Sequence, residues 1–224
     1  MDVIAPVRVK VSCLRSAEEA KRVVSFGVEA IGVAADLPGP AHALTDREIA
    51  AIAGAVGKDV GTFLLTGLLD PDEIVDKARR CGVNTVQLWD PLPREAYGQI
   101  RRAMPGLSIA QSVHVTGQAA VDQACELASV ADALVLGSTN PEPPFRWSDP
   151  HGRTHDWEIS RRIVGAVPVP VILSGGLTYR NVADAIRLVR PYGVEVCSGV
   201  RRGGALDTSL LVRFLESLDR IRPT

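Results

Sequence analysis

The sequence is poor in the features that mark metal-binding, membrane and nucleic-acid-binding proteins. Its 224 residues include four cysteines, whose scattered spacing fits no metal motif: Cys13, Cys81, Cys125 and Cys197. The formal net charge of −1 argues against a nucleic-acid surface that works by bulk charge. No apolar run approaches the roughly 20 residues of a membrane span, and no signal sequence opens the chain. We therefore expect a cytoplasmic protein without disulfides, and neither nucleic acid nor membrane as a partner.

Strand-like and helix-like segments alternate from one end of the chain to the other. Hydrophobic residues make up 46% of the sequence and charged residues 23%, which suits one soluble domain, residues 1–224, with a large core. Capping boxes at Ser16–Glu19 and Thr45–Glu48 mark two of the helix starts. Each predicted strand is followed by a predicted helix. The strands cover residues 7–13, 29–34, 60–66, 85–88, 107–113, 133–136, 169–173 and 194–197.

Eight repeats of strand and helix in a chain of this length predict a closed α/β architecture. Strict alternation means parallel strands joined by crossover helices, and the number of repeats favours a (β/α)8 TIM barrel over an open sheet. In such barrels the ligand lies at the carboxyl ends of the strands. The residues that follow each predicted strand are therefore candidates for the functional site.

The stretch from residue 167 to 199 carries the strongest site prediction made from the residues themselves. Gly175 and Gly176 follow the seventh predicted strand, and Ser198 and Gly199 follow the eighth. Glycine lets backbone N–H groups approach a ligand closely, and a helix N-terminus favours an anion. Since these barrels commonly hold a phosphate at loops seven and eight, the two turns predict a phosphate site; the alternative is that glycine serves turn geometry alone.

Polar and aromatic residues follow several other predicted strands. Ser12 and Cys13 end the first strand, and both cannot face the barrel centre because neighbouring residues of a regular strand point to opposite faces. The spacing does not rank the two. Trp89 and Asp90 follow the fourth strand, where packing and helix capping are equally good explanations, and His114 ends the fifth.

Three of the four histidines lie in predicted loops two and six, which raises the question of a metal site. His151 and His155 are four residues apart, but Pro150 and Gly152 argue against a helix that would place them on one face. Polar loop residues that hold one another are the better explanation. No metal is therefore predicted.

Five motifs spread over nearly the whole length match those of one known family. Val9-Lys10-Val11-Ser12-Cys13 is similar to K-I-C-G, Gln87-Leu88 to Q-L-H-G, Gly152-Arg153-Thr154-His155-Asp156-Trp157 to G-x-G-[KR]-T-x-D-W, Ser174-Gly175-Gly176-Leu177 with Asn181-Val182 to A-G-G-L…N-V, and Ser198-Gly199-Val200 to S-S-G-V-E. No single motif is specific, but together they resemble the phosphoribosylanthranilate isomerase family of tryptophan biosynthesis.

This resemblance implies a (β/α)8 barrel that acts on a phosphorylated small molecule without metal or organic cofactor. In the family, a cysteine at the end of strand one is the general base that removes the sugar C2 proton in an Amadori rearrangement. An aspartate at the end of strand six is the general acid that protonates the ring oxygen. An arginine in loop two holds the anthranilate carboxylate, and loops seven and eight hold the phosphate.

The chain retains the family's phosphate positions but departs from the pattern where the chemistry takes place. The base cysteine aligns with Ser12, with Cys13 one place along, and the acid aspartate aligns with Gly137, which has no proton to give. The loop-two arginine aligns with His42, and Arg201 stands where the family has glutamate. We therefore predict a divergent member of the family, with these site residues: catalytic Ser12, Cys13, Asp90 and His114; substrate-binding His42, Trp89 and Arg153; phosphate-binding Gly175, Gly176, Ser198 and Gly199.

Three hypotheses follow from this pattern. The first is an isomerase-type enzyme that binds a phosphoribosyl-type molecule and catalyses a diverged isomerisation or related acid–base reaction, because loss of each proton-transfer group costs roughly 10²- to 10⁴-fold in rate. The second is a phosphoribosylanthranilate isomerase with rearranged groups, with Cys13 turned inward or with Asp90 or Asp36 as the acid. The third is a barrel that binds a metabolite without catalysis. A homodimer is compatible with all three.

Overall fold

Eight strands in the computed structural model, which describes residues 7–37, 44–137 and 154–219, form a closed parallel barrel. In chain order they are β1 (Arg8–Val11), β2 (Ala30–Ala35), β3 (Gly61–Thr66), β4 (Thr85–Leu88), β5 (Ser108–His114), β6 (Ala133–Gly137), β7 (Val171–Leu173) and β8 (Gly193–Val196). Each strand pairs with the next, and β8 returns to β1 with Val196 opposite Val11. The predicted (β/α)8 fold is confirmed.

Eight helices in the same residue ranges pack their apolar faces against the outside of the barrel. They are α1 (Ala17–Val24), α2 (Asp46–Gly54), α3 (Pro71–Cys81), α4 (Arg94–Ala103), α5 (Ala119–Leu127), α6 (Trp157–Ala166), α7 (Val182–Val189) and α8 (Thr208–Asp219). Helix residues such as Ile49, Ile100 and Leu211 are fully buried in one continuous core. None of these helices is long and apolar enough to cross a membrane.

The ends of β1 and β8 differ from the sequence prediction. β1 stops at Val11 rather than at residue 13, because Cys13 adopts a left-handed backbone conformation with a φ of +62°. After β8 the chain forms a 3-10 turn at Ser198–Val200 and a short hairpin that the pattern did not predict. The hairpin pairs β9 (Arg201–Arg202) with β10 (Ala205–Leu206).

Of the two predicted capping boxes, one is complete and one is half formed. At α2 the Thr45 side chain accepts from the Glu48 N–H, and the Glu48 carboxylate accepts from the Thr45 N–H at 2.7 Å. At α1 the Ser16 hydroxyl accepts from the Glu19 N–H at 3.1 Å, but the Glu19 carboxylate accepts from the Arg15 N–H at 3.0 Å, one residue before the N-cap, and from Arg201 at 3.0 Å. The prediction of a full box at α1 is therefore wrong, because the Glu19 carboxylate bonds to Arg15 and Arg201 rather than to the Ser16 N–H.

Side chains alternate along each strand between the barrel interior and the helix layer. On β1, Val9 and Val11 pack into the outer core, whereas Lys10 points into the interior. The apolar interior residues form a small cluster of their own: Ala110, Val135 and Ile172, with Phe63 and Ala133. This alternation decides which residues can face the mouth of the barrel.

A buried ion pair between Lys10 and Glu195 occupies the middle of the barrel. The Lys10 Nζ lies 3.0 Å from the Glu195 carboxylate, 2.5 Å from the Gln87 side-chain oxygen and 4.3 Å from the centroid of the Phe63 ring. Gln87 in turn donates to the Ser112 hydroxyl at 3.2 Å. Lys10 is 3% exposed, so these neighbours rather than water compensate its charge.

Replacement of Lys10 by methionine should destabilise the barrel by about 3–5 kcal/mol, because Glu195 would become an uncompensated buried charge. The double variant Lys10→Met/Glu195→Leu should regain most of that loss, since neither charge remains. Urea unfolding followed by circular dichroism measures both. The exposed pair of Arg187 and Asp184 supplies the control, for which Asp184→Ala should cost less than about 1 kcal/mol. An equal cost for Lys10→Met and Asp184→Ala would contradict the role of the interior pair.

Candidate active site

The inward-facing positions at the carboxyl ends of six strands form a ring at the barrel mouth, here called the mouth ring. Each follows an interior side chain by two residues, because the side-chain period of a strand is two. The interior side chains are Lys10, Gln87, Ser112, Val135, Ile172 and Glu195. The mouth ring is therefore Ser12, Trp89, His114, Gly137, Ser174 and Cys197.

The turns after β7 and β8 have the geometry expected of an anion site. Gly175 and Gly176 have φ values of +89° and +63°, which glycine adopts without steric cost. A Cβ atom on Gly199 would lie 2.0 Å from the Leu177 carbonyl oxygen, so the two turns touch and no larger residue fits. The predicted phosphate-binding residues thus lie side by side at the mouth.

The backbone N–H groups of these turns are available to a ligand. None of the N–H groups at the four predicted phosphate positions donates to another residue that the structure describes. Asn181 braces the first turn, because its side chain accepts from the Thr178 N–H at 2.8 Å and donates to the Gly176 carbonyl at 3.0 Å. Turns with outward N–H groups bind anions, which supports the predicted phosphate role.

Ser12 and Cys13 separate at the end of β1. The Ser12 hydroxyl is buried in the interior against Gly32 and has no hydrogen-bond partner among the described residues. Cys13 leaves the strand in its left-handed conformation next to the end of β8, because β1 and β8 stay paired up to Val11 and Val196. The hydrogen bond with Cys197, together with burial, raises the pKa of Cys13 well above its ordinary value. Cys13 therefore approaches the mouth without a bulge in β1.

His114 lies beside the position at which the resemblance places the general acid. β5 and β6 pair with His114 opposite Gly137, and both positions belong to the mouth ring. Trp89 packs edge-on against the His114 ring, with 4.9 Å between the ring centroids. Burial lowers the pKa of His114, and the negative charge of Asp90 opposes that shift. An imidazole thus stands next to the position at which the resemblance places the acid.

The remaining predicted residues divide into those at the mouth and those elsewhere. Asp90 is exposed and close enough to His114 to act on it electrostatically. Asp36 is engaged by Lys77 of α3 at 2.5 Å, which favours the helix layer over the mouth for its carboxylate. His42 and Arg153 lie outside the described residues.

Two residues that the sequence analysis did not select, Cys197 and Arg201, also lie at the mouth. The Arg201 guanidinium donates to the Cys13 carbonyl oxygen at 2.6 Å and pairs with Glu19 at 3.0 Å. The sequence held one signal for Arg201, its replacement of the family's glutamate. Cys197 had none, because its place at the mouth follows from barrel closure, which pairs β8 with β1.

A cavity of about 450 Å³ opens at the opposite, amino-terminal end of the barrel. Its lining includes Arg8, Glu29, Asp59 and Tyr192, and none of the predicted site residues. We place the functional site at the carboxyl end, because the glycine turns and the titratable mouth ring lie there and because barrel enzymes use that end.

A closed barrel of eight parallel strands, each followed by a helix, defines a class, the (β/α)8 barrels. A family model described as N-(5'phosphoribosyl)anthranilate (PRA) isomerase matches residues 68–217. The chain belongs to the PRA isomerase family, as the motifs indicated.

Individual relatives cover almost the whole chain. The N-(5'-phosphoribosyl)anthranilate isomerase of Methanocella arvoryzae is 32% identical over 217 residues, which is 97% of this chain and 99% of the relative. The crystal structure of phosphoribosyl anthranilate isomerase from Thermotoga maritima matches with a TM-score of 0.81 and 25% identity over 96% of this chain and 99% of that one. Another isomerase structure, in complex with reduced 1-(o-carboxyphenylamino)-1-deoxyribulose 5-phosphate, has a TM-score of 0.79 and 23% identity, with coverage of 96% and 99%.

Gly199→Ala should weaken binding of inorganic phosphate at least tenfold, or about 1.4 kcal/mol, because the new Cβ would displace the turn from Leu177. Isothermal titration calorimetry measures the affinity, and the melting temperature shows whether the fold survives. Gly57→Ala is the matched control, since its Cβ would meet no atom within 4 Å. Unchanged phosphate affinity in Gly199→Ala would contradict the assigned site.

His155 should make the stability depend on pH. Its Nε2 lies 2.7 Å from the Ser160 hydroxyl, and burial lowers its pKa from 6.5 to about 4 despite the opposing charge of Asp156. Between these pH values the unfolded chain therefore binds a proton that the folded chain does not bind. The free energy of unfolding should fall by about 2–3 kcal/mol as pH drops from 6.5 to 4. In urea unfolding His155→Gln should lack this loss, whereas exposed Thr154→Ala should keep it. An unaltered pH dependence in His155→Gln would refute the assignment.

Proposed function

We propose that this chain is an isomerase of the aldose–ketose, Amadori type that acts on a phosphoribosyl-type amine with acid and base groups other than the family's usual pair. The observation that carries this proposal is the retained pair of glycine turns, which share one barrel mouth with two thiols, an imidazole and an indole. An anchored phosphate and proton-transfer groups on one ring are what the reaction requires. The relatives' names supply the reaction class, and the organic half of the substrate is left open.

The phosphate group anchors the substrate in this proposal. Backbone N–H groups at the turns after β7 and β8 form charge-assisted hydrogen bonds with an anion, and they are held in place before the ligand arrives. Binding energy from this remote group orients the sugar, so its reacting carbons lie over the mouth ring. Phosphate binding at the turns therefore accounts for the class of substrate and for its orientation. The residues of the mouth ring carry out the proton transfers.

His114 is the proposed general acid in place of the family's aspartate. It faces the mouth directly opposite Gly137 in the β5–β6 register. In the free protein burial lowers the pKa of His114, but an anionic substrate nearby favours the imidazolium and raises that pKa again. The imidazolium protonates the ring oxygen as the furanose opens, while the nitrogen lone pair forms the C1=N bond.

The opposite end of the substrate meets aromatic and polar residues in this proposal. Trp89 is 7% exposed and packed against His114, and its indole offers a flat surface for an aromatic ring. His42 and Arg153 are proposed to hold a carboxylate there.

We also propose a cytoplasmic location, and a homodimer as the assembly to test by analytical ultracentrifugation.

The purified protein should isomerise phosphoribosylanthranilate, which is the natural first probe given the relatives' names. Loss of anthranilate fluorescence follows the reaction, and calorimetry with inorganic phosphate reports binding alone. Phosphate binding without turnover of phosphoribosyl amines would contradict the proposal and favour a non-catalytic barrel. Rescue of a tryptophan auxotroph that lacks this isomerase would assign anthranilate as the organic half; failure of rescue with turnover in vitro would assign another amine.

His114→Asn should lower kcat by roughly 10²- to 10⁴-fold and leave phosphate affinity unchanged, because a proton donor is lost and the anion turns are not. In the wild type, kcat/KM should fall as pH rises through the pKa of His114, which lies below the ordinary 6.5. The variant should lack this limb of the profile. Exposed Thr116→Ala is the control and should retain both rate and profile. A parallel loss of phosphate affinity would indicate a structural role for His114.

A further inference from the structure

Arg201 follows directly on the turn after β8 and links that turn to the loop after β1. Its guanidinium donates to the Cys13 carbonyl oxygen at 2.6 Å, to the two Glu19 carboxylate oxygens at 3.0 and 3.3 Å, and to the Gly204 carbonyl oxygen at 3.0 Å. The side chain is 9% exposed, and the planar guanidinium suits several acceptors because its donors form a rigid fork. One buried cation thus contacts the loop after β1, the first turn of α1 and the β9–β10 hairpin.

The β9–β10 hairpin in turn contacts both the turn after β8 and α1. The Asp207 N–H donates to the carbonyl oxygen of Val200, the last residue of the 3-10 turn, at 2.9 Å. The Leu206 N–H donates to the Glu19 carboxylate at 3.4 Å. The turn whose N–H groups are assigned to the phosphate is therefore held by β8 on one side and by the hairpin on the other.

Cys13 has a backbone conformation that the bond from Arg201 stabilises. Its φ of +62° is left-handed, which costs energy in a residue with a Cβ atom. The resemblance places glycine at this position, and glycine adopts such a φ freely. It also places glutamate at position 201, and an ionised glutamate cannot donate to a carbonyl oxygen. In that pattern the bond from residue 201 to residue 13 is neither possible nor needed.

We propose that Arg201 and Glu19 are positioning residues of the phosphate site, because their buried ion pair joins the loop after β1 to the hairpin and so fixes the N–H groups of the turn after β8. The bond from Arg201 offsets the strain at Cys13 and keeps that loop in place. This inference rests on the proposed function, in which the turn binds the phosphate of the substrate. Donors that are ordered before the ligand arrives bind it more tightly, since they lose little freedom on binding.

Arg201→Met should weaken binding of inorganic phosphate by roughly tenfold, because the turn after β8 loses its link to the loop after β1. Isothermal titration calorimetry measures the affinity well below the melting temperature of each variant, so that unfolding does not contribute. Arg202→Met is the matched control, since it removes an exposed arginine of the same hairpin, paired with Asp207 at 3.2 Å, and should keep wild-type affinity. Wild-type affinity in Arg201→Met would overturn the inference.

The double variant Arg201→Met/Glu19→Gln separates position from charge. Arg201→Met alone adds a net negative charge, which could repel phosphate through space, whereas the double variant has the same net charge as the wild type. It should fold even if Arg201→Met does not, because neither charge is left buried without a partner. Its phosphate affinity should stay roughly tenfold below that of the wild type. A return to wild-type affinity would show that charge alone acts and would overturn the positioning role.

Cys13→Gly tests the link between Arg201 and the strained residue. With glycine at position 13 the loop keeps its left-handed turn without help, so Arg201→Met should weaken phosphate binding less in this background than in the wild type. Calorimetry on the four proteins of this cycle measures the difference. An equal loss in both backgrounds would overturn the role of the bond to Cys13.

Steady-state kinetics with phosphoribosylanthranilate separate this inference from the proposed function. Arg201→Met should raise KM by a factor similar to the loss of phosphate affinity and change kcat less, because the lost contacts hold the phosphate turn. A loss confined to kcat would overturn the positioning role and leave the isomerase proposal intact. Absence of turnover of phosphoribosyl amines by the wild type, together with the expected phosphate affinities, would overturn the proposed function and leave the positioning role intact.

Discussion

The pairing of β8 with β1 is the constraint on which the rest of the structure depends. It closes the sheet, and it brings the two ends of the sequence into contact at every level of the barrel. In the interior and in the loop above the mouth, the contacts across this seam are Lys10 with Glu195 and Glu19 with Arg201. Barrel closure and the candidate chemistry therefore share one set of residues.

Strand register decides which side chains can act together at the mouth. Neighbouring strands lie roughly 4.8 Å apart, so side chains opposite each other in register approach the same point at the mouth. His114 stands opposite Gly137, the position at which the resemblance places the acid. The general acid that we propose therefore lies one strand away from the position that the family uses.

The glycine turns and the mouth ring differ in how far they could be predicted. Gly175, Gly176 and Gly199 could be placed from sequence because each lies shortly after an apolar run, and the limits predicted for β4 match the structure. The end of β1 could not, since nothing in the pattern shows that Cys13 leaves the strand with a positive φ. Local patterns report local hydrogen bonding, and Glu19 shows their limit, because its carboxylate also pairs with Arg201 from the other end of the chain.

By itself the sequence predicted the barrel, which the structure confirms, and the glycine turns that follow β7 and β8. The period of apolar residues and the glycines next to them are properties of short segments, and short segments can be read in isolation. Only the tertiary structure decided which side chains meet: that Glu19 pairs with Arg201, and that His114 lies opposite Gly137. The physical reason is that these contacts arise from barrel closure and strand register, which join residues far apart in the chain.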